Sequence, residues 1–151
     1  MKGLGAPLAA SDFGDPVAGA TSYALCFYDG GRAHVGGLTL ERAGATCGPP
    51  ARPCWRGLGS VGYRYVDRDA TVHGIRRLLL KGGPAGAGKA LLRAKLTPGR
   101  SVSGLPPNLP LALVVSAQAT VQLVGSDGPC FTLTTGEVVG ADAGRFSARR
   151  R

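Results

Sequence analysis

The chain has 151 residues, the length of one domain with a single core. Its 25 glycines and 11 prolines argue against a helical bundle, and 44% hydrophobic residues make it too apolar for a disordered chain. A formal charge of +9, from 18 Lys and Arg against 9 Asp and Glu, favours acidic partners such as nucleic acid, anionic glycans or a membrane surface. Arginine supplies 14 of the 18 basic residues, a bias that a GC-rich genome also produces without any ligand.

Residues 1–20 read as an irregular segment with a turn at FGDP, and 21–149 as one β-domain. The opening MKGLGAPLAAS is too broken by Gly and Pro for a signal peptide, and no run approaches the ~18 apolar residues that span a bilayer. Tyr23–Tyr28 is strand-prone, Asp29-Gly30-Gly31 is a turn signal, and Arg32–Leu40 alternates loosely, which predicts a hairpin. ATCGPPARPCW reads as a stiff loop with three prolines, and SVGYRYVD and GIRRLLLKG as strands. KALLRAKL completes a second hairpin, residues 98–110 form a proline-rich connection, and LALVVSAQATVQLVG, CFTLTTGEVV and RFSAR supply the last strands. About eight strands with regular turn punctuation predict an all-β, antiparallel β-sandwich or a related barrel.

Between the second pair of strands, Gly83–Lys89 fits G-x-x-x-x-G-K, the phosphate-cradling loop of nucleotide hydrolases. Such a loop needs a Ser or Thr after the Lys, a helix behind it and an Asp ending another buried strand. Here Ala90 follows Lys89, the next residues alternate with a period of two, and neither LALVV nor TVQLV ends in Asp. The stretch reads as the flexible end of a hairpin, with no nucleotide and no other cofactor.

Four cysteines allow three connectivities. Cys47 and Cys54 flank a stiff loop and are expected to pair; Cys26, mid-strand, is expected to meet Cys130 across the sandwich. The rivals are free thiols in a reducing compartment and a zinc site, which the C-x6-C spacing disfavours. Asp67, Asp69 and Thr71 offer oxygens at alternate positions, as calcium loops do, against the plainer reading of an Asp capping its own turn. His34 and His73 are the only near-neutral bases, and neither sits in a recognisable nucleophile motif. Trp55, next to Cys54, is either a sugar-stacking platform or core, and Tyr63 and Tyr65 share one strand face. Arg64, Arg76, Arg77, Lys81, Lys89, Arg93 and Lys95 are either a basic patch on one sheet face or ordinary solvated charge.

Taken in order, FGDP, YALCFYDG, CGPPARPCW, GYRYVDRDATVHGIRRLLLKGGPAGAGKALLRAKL, TVQLVGSDGPCF and RFSAR resemble a β-rich module that recurs, often near the C-terminus, in hypothetical secreted proteins of environmental bacteria. The resemblance covers residues 13–149 and implies export and disulfides; no activity, ligand or functional residue carries over. The resulting expectation is a non-catalytic accessory, structural or adhesion module, extracellular or on the cell surface, within a longer precursor or self-associating through edge strands. A second expectation is a binding module for anionic polymers, acidic polysaccharide or nucleic acid, using Trp55, Arg64, Arg77, Lys81, Lys89, Arg93 and Lys95. The third is a hydrolase with an unrecognised site.

Overall fold

The computed structural model describes residues 7–84, 87, 89–94, 118–128, 130–134, 137–142 and 145–149; for 89–94, 133, 137–142 and 145–149 it gives the backbone course. Strands dominate, and the helical turn among the described residues is a short 3-10 segment, Ala10–Phe13. The strands are β1 (Tyr23–Tyr28), β2 (His34–Leu40), β3 (Thr46–Cys47), β4 (Arg52–Pro53), β5 (Trp55–Gly57), β6 (Gly62–Val66), β7 (Ile75–Lys81) and β8 (Lys89–Ala94). They continue with β9 (Thr120–Gly125), β10 (Cys130–Thr134), β11 (Glu137–Asp142) and β12 (Arg145–Arg149). Lys95, the connection at 98–110 and the apolar run at 111–117 lie outside the described residues.

The chain forms two compact units. The first comprises Met1–Tyr23, Leu40–Lys95 and Gly125–Pro129, and is built on a four-stranded sheet of order β5-β6-β7-β8. Each neighbouring pair in this sheet is antiparallel. The two-residue period of the sequence sorts its side chains. Trp55, Tyr65, Leu78 and Leu80 are all buried, and the register sets Trp55 against Tyr65 and Tyr65 against Leu78. Phe13, Tyr23, Leu40 and Ile75 complete this core, and the Tyr23 hydroxyl donates to the Phe13 carbonyl at 2.7 Å. Gly62, at φ 145°, lies so close to β7 that a Cβ there would collide with the Leu80 carbonyl. The segment after the glycine-rich stretch is strand β8, not the helix a phosphate loop requires.

The second unit comprises Ala24–Thr39, Leu96–Val124 and Cys130–Arg151. It is built on the sheet β10-β9-β1-β2, whose end residues Tyr23, Leu40 and Gly125 count with the first unit. Leu25, Leu38, Ala119, Leu123 and Phe131 are its buried residues. Strand β10 runs antiparallel to β9 with Phe131 opposite Leu123, and both are buried. Strands β11 and β12 form a separate antiparallel pair with a bulge at Val138/Gly140.

This strand order corrects the expected second disulfide. Cys47 and Cys54 are bonded, but Cys26 and Cys130 are free thiols. Cys26 is on β1 and Cys130 on β10, with β9 hydrogen-bonded between them. Two inter-strand steps of about 4.8 Å put their backbones near 10 Å apart, beyond the ~7 Å a disulfide can bridge. Both cysteines lie in the same sheet, where an intervening strand keeps them apart.

Candidate anion-binding surface

The surface that stands out is in the first unit and begins at the disulfide loop. Cys47 ends β3, pairs in register with Arg52 of β4, and is bonded to Cys54 with their Cα atoms 4.9 Å apart. The Cys54 N–H donates to the Ala45 carbonyl at 2.8 Å, and the Cys54 carbonyl accepts from the Val66 N–H at 2.9 Å. The loop is therefore fixed covalently at its ends and sewn to β6. Pro49, Pro50 and Pro53 fix further backbone angles between those ends.

A recess of about 390 Å³ opens between this loop and the sheet. Arg52 reaches it from the loop, Arg56 from β5, Arg64 from β6 and Arg68 from the turn after β6; Asp69 is the one carboxylate residue in its lining. Arg56 and Arg64 are directly opposite each other in the antiparallel register. Like charges so placed repel and oppose strand pairing. Among the described residues no ion pair neutralises any of the four guanidiniums.

The turn that carries Arg68 and Asp69 is organised by Asp67, which is fully buried. Its carboxylate accepts from the Thr71 N–H at 2.8 Å, the Thr71 hydroxyl at 2.6 Å, the Asp69 N–H at 3.0 Å and the Tyr65 hydroxyl at 3.4 Å. Burial pushes the Asp67 carboxyl up, but the hydrogen bonds from Thr71, Asp69 and Tyr65 outweigh it and hold the group below its ordinary value. Arg42 adds a bond to the Thr71 hydroxyl at 3.0 Å. Of the two readings of this turn, the geometry matches the capping one: the carboxylate oxygens face N–H and O–H donors of their own turn and the Tyr65 hydroxyl of β6.

The sheet face beyond the recess is also basic. Register sets Arg64 opposite Leu79, Val66 opposite Arg77 and Gly62 opposite Lys81, so Arg64 lies diagonally between Arg77 and Lys81. Lys81 also pairs with Lys89 and Arg77 with Arg93 along the backbone of β8. Five of the basic residues singled out from the sequence thus meet at neighbouring register positions. The Arg77 Nε is buried with no hydrogen-bond partner among the described residues. Arg76, next to the bulge in β7, is exposed.

Trp55 does not belong to this surface. It is 2% exposed, with ring centroids 5.1 Å from Tyr23 and 5.3 Å from Tyr65, and is a core residue rather than a stacking platform. Burial likewise raises the Tyr23 and Tyr65 phenols, which helps keep both neutral. Tyr63 is half-buried. Sequence reasoning missed Arg52, Arg56 and Arg68, although the parity of Arg56 against the core residue Trp55 and of Arg64 against Tyr65 was a usable signal.

The second unit holds a different depression, of about 380 Å³, lined by Tyr28, Arg32, Thr120, Gln122, Thr132 and Thr134. Its polar groups bond one another, Thr120 with Thr134 at 3.2 Å and Gln122 to Thr132 at 3.3 Å. His34 stacks edge-on against Tyr28, and His73 sits in a turn at φ 48°; neither lines either cavity. No family model, curated protein or solved structure matches the chain.

Proposed function

We propose that this protein is a non-catalytic module, acting outside the cell, that binds an anionic polymer through the arginine recess and the adjoining basic face of β5–β8. The observation that carries the reading is the convergence of Arg52, Arg56, Arg64 and Arg68 from separate segments on one recess that contains a single carboxylate. Structural economy alone gives no reason to set Arg56 opposite Arg64. A bound oxyanion does, because it turns their repulsion into shared attraction. The Cys47–Cys54 bond fits an oxidising compartment, as the resemblance to secreted modules also implies. A sandwich architecture belongs to the same proposal, supported by two four-stranded sheets that each have a buried side.

Net charge alone retains a basic protein on a polyanion, so the test compares sites. Arg56→Gln/Arg64→Gln should elute from heparin resin at clearly lower salt than Arg32→Gln/Arg76→Gln, which removes equal charge elsewhere. The binding constant should fall steeply as salt rises, the slope shrinking by about one for each contact removed. Identical elution of the two variants would return the chain to a purely structural role.

A further inference from the structure

We infer that the ligand of the recess is a polysaccharide densely substituted with ester oxyanions, sulfate or phosphate, rather than a nucleic acid or a uronate polymer. The inference rests on the anion-binding reading above and narrows it. Proteins that hold single-stranded nucleic acid combine a cationic groove with aromatic rings on which bases stack. No aromatic residue lines this recess, and Tyr23, Trp55 and Tyr65 are all buried. A duplex, in turn, is a rod that displays phosphates along an extended track. Outside the recess, the described side chains on this face add Arg77 and Lys81, with Leu79 between them. Four guanidiniums converge in one hollow, which suits a flexible, narrow chain.

Charge density selects among polysaccharides. Four guanidiniums against Asp69 leave a net charge of three (four minus one) in about 390 Å³, within the ~300–1,000 Å³ span of ligand pockets. A uronate polymer offers at most one carboxylate per sugar, and only one per disaccharide where uronates alternate with neutral sugars, too dilute to engage all four arginines at once. A sugar chain with three or more ester anions per disaccharide sets more oxyanions against them over the same length. Each such anion has several oxygens that can take the paired N–H donors of a guanidinium. The wall from Cys47 to Cys54 is held by its disulfide and prolines, so the backbone that carries Arg52 is in place before the ligand arrives.

The experiment is a calorimetric comparison of four probes of equal length or charge at about 150 mM salt. They are a heparin-derived hexasaccharide, the same hexasaccharide stripped of sulfate, a single-stranded oligonucleotide, and a phosphorylated dextran oligomer that separates sulfate from phosphate esters. The sulfated or phosphorylated sugar should bind at least about tenfold more tightly than the stripped sugar and the oligonucleotide. Arg56→Gln/Arg64→Gln should erase that preference, whereas Lys81→Gln should weaken all probes alike. Arg56→Gln alone, at an exposed position, should reduce it without disturbing the fold. An oligonucleotide that binds as tightly as the esterified sugar overturns the inference in favour of nucleic acid, and an equally tight stripped sugar overturns it in favour of uronates; both leave the anionic-polymer reading intact. Failure of all the probes to bind sinks both.

Discussion

Replacing Asp67 by Asn tests whether the turn at the rim of the recess is built as described. The Oδ2 atom accepts from the Thr71 N–H, the Thr71 hydroxyl and the Tyr65 hydroxyl, while Oδ1 accepts from the Asp69 N–H. An amide has one acceptor oxygen, so whichever way it is turned one backbone N–H, that of Thr71 or of Asp69, faces an NH₂ group. Hydroxyls can rotate to compensate, but a backbone N–H cannot. One orphaned donor, together with loss of charge assistance at the others, should cost about 2–4 kcal/mol. The sign with pH follows from the carboxyl being held below its ordinary value. Its contribution is complete above the unfolded value of about 3.9 and is lost as pH falls through the lower folded value. The gap between wild type and Asp67→Asn in urea unfolding should therefore be widest near neutral pH and close in strong acid. A gap under about 0.5 kcal/mol at neutral pH, or one of equal size in acid, would refute the account of the turn.

The disulfide and the free thiols give two further tests. Cys47 and Cys54 are seven residues apart, so the Cys47→Ser/Cys54→Ser pair should lose at most about 2.5 kcal/mol, and less to the extent that Pro49, Pro50 and Pro53 already restrict the unfolded loop. The same pair should weaken binding of a sulfated oligosaccharide, since the bond holds one wall of the recess; unchanged affinity would show that the wall does not need it. Unreduced protein should titrate with two thiols, Cys130 reacting before Cys26 because it is exposed and Cys26 half-buried. A Cys26–Cys130 peptide in a non-reducing map would contradict the order β10-β9-β1-β2.

Local order was far more legible in the sequence than lateral order. Strand propensity in YALCFY, the alternation in SVGYRYVD and the strand reading of GIRRLLLKG identified β1, β6 and β7, because strand preference is written into a segment's own residues. No such preference records which strand comes to lie beside which. The insertion of β9 between β1 and β10 was therefore unreadable, and the expected Cys26–Cys130 bond failed with it. The basic face was readable in part: Arg64, Arg77 and Lys81 fall on the parity opposite Tyr65, Leu78 and Leu80. Nothing in the sequence marks Arg52 and Arg68, because only the folding of the disulfide loop against β6 brings them to the same recess. Trp55 was ambiguous on its own; its burial follows from sharing a face with Tyr65, its register partner.

Trp55 is the single tryptophan of the chain. Because it lies in the core of the first unit between Tyr23 and Tyr65, intrinsic emission excited at the red edge is a spectroscopic report on that unit alone. Far-UV dichroism, by contrast, sums the strands of both units. Melting curves from the two signals coincide if the units unfold as one cooperative body and separate if they do not. A residue that first drew notice as a candidate ligand contact thus serves as a built-in optical probe of how folding cooperativity is partitioned along the chain.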